Sequence, residues 1–140
     1  MSSAPAPIAF GRYLLYERIA VGGMAELFRA EDAAGQVCVI KRVLPHLSRD
    51  RRFLTMLLDE ARLVATLQHP GVTRILDLGR EDEHLFIAME YLAGEDCAEL
   101  IATAVKRGVT VPWPVAAAIV AAAADALHFA HEARSARECG

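Results

Sequence analysis

Apolar and polar positions alternate with a period near two from Tyr13 to about Tyr91, interrupted by one stretch of helical period. Tyr13 to Ala20 and Glu26 to Glu31 are predicted strands, joined across the turn signal Gly22-Gly23. Ala33-Ala34-Gly35 is a second turn, and Gln36 to Val43 a third strand built on Val37, Val39 and Ile40. Asp50 to Gln68 is a predicted helix. Phe53, Leu57, Val64 and Leu67 recur on one face, and His69-Pro70-Gly71 stops it. Thr73 to Leu78 and His84 to Tyr91 are two more strands across the charged turn Arg80-Glu81-Asp82-Glu83. The expectation is an α+β unit of five strands, with one helix between the third and the fourth.

Beyond Gly94 the helical period takes over. Asp96 to Arg107 is a predicted helix ended by Gly108, and Pro112-Trp113-Pro114 opens an Ala-rich helix reaching about Ala133. That long helix is apolar around much of its circumference. Such helices need cover, so the chain by itself is expected to be marginally stable or prone to aggregate. Asp125, His128 and His131 follow the alanine run at once, and no membrane segment is read in it.

Composition narrows the classes. A chain of 140 residues is expected to be one domain, and 54% hydrophobic with 24% charged residues excludes a disordered chain. A net charge of −3 excludes a basic nucleic-acid binder as the default. Met1 to Phe10 has neither a basic start nor a long apolar run, so a cytoplasmic location is expected. Cys38, Cys97 and Cys139 form no CxxC pair, which argues against disulfide and zinc frameworks. His128 and His131, with Asp125 and Glu132, could offer two metal ligands on one helix face. No third ligand cluster accompanies them, and no metal site is assigned.

Three features carry candidate chemistry. Glycines between two strands, in Ile19-Ala20-Val21-Gly22-Gly23-Met24-Ala25-Glu26-Leu27, let backbone N–H groups approach a phosphate, although a plain hairpin turn uses the same residues. Alternation puts Lys41 on a face with Val37 and Val39, where it either ends a buried strand or faces a cleft. Only two lysines occur, Lys41 and Lys106, so a lysine is slightly more informative than usual in an arginine-rich chain. Glu60 follows Leu57 by three residues and precedes Val64 by four, on the apolar stripe, where a carboxylate needs a cation or a route to water. A lysine that holds phosphate and a glutamate that holds the lysine make one constellation.

In this order the features resemble the eukaryotic-like bacterial serine/threonine protein kinases. IAVGGMAELFRA (Ile19 to Ala30) is similar to the Gly-rich loop, and Val39-Ile40-Lys41 to the strand-three lysine motif. Glu60, with the His-Pro that follows its helix, resembles the helix-C glutamate. Met89-Glu90-Tyr91-Leu92 resembles the gatekeeper and hinge. The resemblance implies a small lobe over residues 13–92, with a five-stranded antiparallel sheet and helix C, after a flexible leader over 1–12. Residues 93–140 would leave the hinge and begin the large lobe. It implies ATP as ligand. Ala20, Val21, Gly22, Gly23 and Met24 would lie over the phosphates, Lys41 would hold them, and Glu60 would pair with Lys41. Leu27 and Val39 would cap the adenine, Met89 would set the depth of the back pocket, and Val64 and Ile75 would pack behind Glu60. Backbone groups of Glu90 and Leu92, with Tyr91 between them, would meet the adenine edge, and Asp96 the ribose.

Ala20 and Ala25 stand where that family has its first and third loop glycines, so a stiffer loop is expected. Val39 replaces an alanine, which narrows the pocket. The sequence contains no His-Arg-Asp and no Asp-Phe-Gly, the motifs that supply the base and the metal ligands. Mg²⁺ is therefore implied only for a complete kinase, and this chain alone is expected to be inactive in transfer to protein Ser/Thr side chains. The other reading is a transfer-incompetent lobe that binds nucleotide or a partner.

Overall fold

The computed structural model describes residues 6–138. They divide into two compact units. The first takes in the chain up to Gln68 with Thr73–Tyr91, and the second His69–Val72 with the chain from Leu92 onward. The first unit contains β1 (Ile8–Phe10), β2 (Tyr13–Val21), β3 (Ala25–Glu31), β4 (Val37–Val43), α1 (Arg51–Ala65), β5 (Ile75–Glu81) and β6 (His84–Glu90). The strands form one antiparallel sheet in the order β1-β2-β3-β4-β6-β5.

Six strands stand where the sequence suggests five, because Ile8–Phe10 lies in the expected leader. Three residues are too short for a period to be legible. Tertiary contacts make them a strand: Gly11 turns the chain at φ 54°, Ile8 pairs with Leu15, and the buried Phe10 meets the Phe86 ring edge-on at 5.3 Å. Residues 1–5 of the expected leader and Cys139 lie outside the described residues.

Alternation along the strands gives the sheet two apolar faces. One buries Phe10, Leu15, Phe28, Ile40, Phe86 and Ala88 among themselves. The other buries Val43, Leu85 and Ile87 against Leu57 and Ala61 of α1. Asp50 starts α1 as N-cap, its carboxylate accepting from the N–H groups of Arg52 and Phe53 at 2.9 and 3.2 Å.

The second unit holds α2 (Cys97–Lys106) and α3 (Trp113–Glu138). The segment His69–Val72 rests on α3. The His69 ring lies 5.0 Å from that of Phe129, and its Nε2 is 3.1 Å from the Asp125 carboxylate. Gly71 is required there, since a Cβ on it would stand 2.9 Å from that of Ala126. Most of α3 is exposed, including Trp113, Val120 and Leu127. By length and composition alone Trp113–Ala133 could cross a membrane, although Asp125, His128 and His131 argue against that reading. The core helix of a soluble protein meets the same criterion.

Candidate functional site

β2 and β3 meet in a hairpin whose loop overhangs a cavity of about 590 Å³. Ala20, Val21, Gly22, Gly23 and Met24 line it from the loop, Leu27 from β3, Lys41 from β4 and Met89 from β6. Two bonds shape the loop: Gly22 N–H donates to the Ala25 carbonyl at 2.9 Å, and Leu44 N–H to the Met24 carbonyl at 3.0 Å. The Gly22 amide is thus already engaged within the loop. Gly23 lines the cavity, and a Cβ on it would meet nothing within 4 Å. Neither glycine has a positive φ, and neither do Ala20 and Ala25. The alanines in the family's glycine positions therefore carry no backbone strain.

Lys41 stands opposite Leu27 on β3 and Ile87 on β6, half-buried. It also borders a second, smaller cavity of about 160 Å³ toward α1, shared with Glu60, Val64, Ile75 and Met89. The lysine thus stands at the wall between the two spaces. Glu60 is exposed, and no ion pair joins it to Lys41 among the described residues. The expected inward carboxylate is at the edge of the stripe instead. Leu57 and Ala61 take the buried line of α1, and Glu60, one residue before Ala61, is turned about 100° away. A carboxylate there keeps its water, which burial without a cation would forfeit.

The remaining sequence candidates separate. Val39 is buried opposite Met89 and is not part of the large cavity's lining. Glu90 and Tyr91 border a different, polar cavity of about 370 Å³, with Arg12 and Arg74. Glu90 N–H donates to the Arg74 carbonyl at 3.0 Å, and its carboxylate accepts from Arg74 N–H at 2.7 Å. Leu92 and Asp96 belong to the second unit, where Asp96 caps α2 by accepting from Glu99 N–H at 2.8 Å. Ala25 joins the lining without having been singled out for it; its place in the hairpin loop was the available signal. Among the described residues no group of three His, Cys, Asp or Glu could hold a metal ion.

Behind the loop, on the face away from Lys41, Glu26 bridges Arg18 at 2.9 Å and Arg42 at 2.8 Å. The hydrogen bond from Arg42, aided by Arg18, holds the Glu26 carboxyl below the usual carboxylate range. Sequence reasoning missed this bridge, because isolated charges on strands read as solvated positions.

A glycine-bearing hairpin over a cavity, a lysine on the next strand and a helix packed behind it are the arrangement of a protein-kinase small lobe. Residues 13–136 match the protein kinase domain family, and the chain belongs to that family. It is 44% identical over 127 residues to the tyrosine-protein kinase MasK of Myxococcus xanthus, covering 88% of this chain and 20% of that protein. It is 35% identical over 125 residues to the serine/threonine-protein kinase PknE of Mycobacterium tuberculosis, covering 89% of this chain and 21% of PknE. The crystal structure of the Mycobacterium tuberculosis PknI kinase domain superposes with a TM-score of 0.75 at 26% identity, over 93% of this chain and 52% of that one. The chain thus spans about a fifth of these curated relatives and about half of the solved kinase domain, its N-terminal part.

Proposed function

We propose that this chain is the ATP-binding part of a protein kinase that phosphorylates Ser or Thr side chains. The observation that carries the reading is the position of Lys41, the one lysine of the sheet, in the wall of the cavity beneath the glycine-bearing loop. Its ammonium supplies the charge a triphosphate requires, as a compact point charge on a flexible stem. Leu27 and Met89 supply apolar surface for a base, and Gly23 leaves room for phosphate oxygens. Serine/threonine specificity is favoured by the name of PknE, whereas MasK is named a tyrosine kinase. The chemistry in such a kinase is transfer of the γ-phosphoryl group to a hydroxyl, accelerated by positioning and by metal electrostatics. This chain's residues hold the nucleotide; without the base and metal-ligand motifs, the chain alone binds and does not transfer. The cytoplasm is the proposed compartment.

Calorimetry with ATP tests this. Binding by the chain, weakened at least about tenfold by Lys41→Met, supports it. Equal affinity in the variant would sink the role of Lys41, and no ATP binding by the unsubstituted chain would leave the module a partner-binding one.

A further inference from the structure

The backbone ladder between β2 and β3 is irregular just where the loop leaves the sheet. Leu15 pairs with Ala30, but Arg18 pairs with Phe28 and Ala20 with Leu27, so the register shifts on both sides of Arg18. Such shifts weaken the attachment of a strand and increase its twist. The displaced segment is caught by side chains instead. Arg18 donates to one oxygen of Glu26 at 2.9 Å, and Arg42 donates to the other at 2.8 Å. Arg42 is fixed in turn, with its guanidinium 4.7 Å from the centre of the buried Phe28 ring. The bridge thus ties β2, β3 and β4 together at the root of the loop. Glu26 faces Arg42 in the register, and the next pair along, Leu27 with Lys41, projects to the cavity side.

We propose that Glu26 is a positioning residue of the nucleotide loop, which through Arg18 and Arg42 holds Ala20–Met24 over the cavity and in register with Lys41. Glu26 touches no ligand; it acts through the loop. The inference rests on the ATP reading for its consequence but not for its geometry. The phosphate end of a ligand depends on the loop, while the base end depends on Leu27 and Met89. Loosening the loop therefore weakens ATP and spares adenosine.

The test uses the whole chain with Glu26→Gln and, on the exposed side of the bridge, Arg18→Ala. Backbone amide exchange over 20–24 is expected to accelerate several-fold in both variants, with β4 and β6 unchanged. ATP affinity is expected to fall roughly fivefold, the equivalent of one hydrogen bond, with adenosine affinity within about twofold. The double variant is expected to lose no more than Glu26→Gln alone, because both substitutions cut one bridge. Unchanged loop exchange in a folded variant overturns the proposal. So does equal weakening of ATP and adenosine, or acceleration throughout the sheet. If the unsubstituted chain binds no ATP, the ATP reading fails, and the exchange pattern alone decides whether Glu26 holds the loop.

Discussion

Tyr13 at the start of β2 donates a hydrogen bond of 3.0 Å to the carboxylate of Asp77 on β5, across 64 positions of sequence. Arg12 donates to the same carboxylate at 2.8 Å. β2 and β5 are not neighbours in the sheet, so these bonds join strands that the ladder leaves apart. The Tyr13 ring also packs edge-on against Phe86 at 5.6 Å, in the core between them. The sheet that carries the loop is thereby curled and held. Tyr13→Phe keeps the ring and removes the bond, and it is expected to cost about 1 kcal/mol in urea unfolding. Asp77→Ala, which removes the shared acceptor of Tyr13 and Arg12, is expected to cost more. A neutral Asp77→Ala would show that packing alone curls the sheet.

Glu60 and Lys41 border one cavity without an ion pair. Glu60→Gln in this chain is therefore expected to leave its unfolding free energy within about 0.5 kcal/mol, as for other exposed positions. A loss above about 2 kcal/mol would mean that the two side chains meet in solution.

Acid should weaken the sheet. Glu26 and Glu17 are held below the ordinary value of 4.5, first by their hydrogen bonds from Arg42 and Arg29 respectively. The folded chain thus binds these protons less readily than the unfolded one. The stabilisation is complete above about pH 4.5 and is lost as pH falls through the lower folded values. Urea midpoints measured down the pH scale should fall more for the native chain than for Glu26→Gln below that point.

Burial raises the Cys38 thiol above its usual value, and Asp32 and Glu31 add to the effect. Cys38 is 2% exposed, whereas Cys97 opens α2 and is exposed. Alkylation of the folded chain near neutral pH, mapped by peptide mass, should modify Cys97 well before Cys38. Comparable rates would mean that the β4 core opens readily.

α3 leaves Trp113 80% and Val120 68% exposed, an apolar surface that water does not favour. The isolated chain is expected to bind a hydrophobic dye and to sediment as concentration-dependent oligomers. Replacing Val120 and Leu127 with Glu should reduce both. A monomer that ignores the dye would count against this.

Much of this molecule was legible along the chain. Tyr13, Phe28, Val39 and Ile87 sit in strands whose alternation and turn residues are local properties, and so their elements can be read locally. The same holds for α1, whose spacing and Asp50 cap lie within a few residues of one another. Alternation put Lys41 on one face with Val37 and Val39, and the packed sheet decided that this face meets a cavity. Other features depended on partners far away in sequence. Ile8–Phe10 became a strand only because Leu15 and Phe86 were there to receive it. Glu60 stayed at the edge of α1 because Leu57 and Ala61 took the buried line. Glu26 became a bridge because two register shifts brought Arg18 within reach while the β3–β4 register set Arg42 opposite. Periodicity says which way a side chain points; only the packed sheet determines what it meets there, because meeting depends on register, bulges and curl that no local pattern encodes.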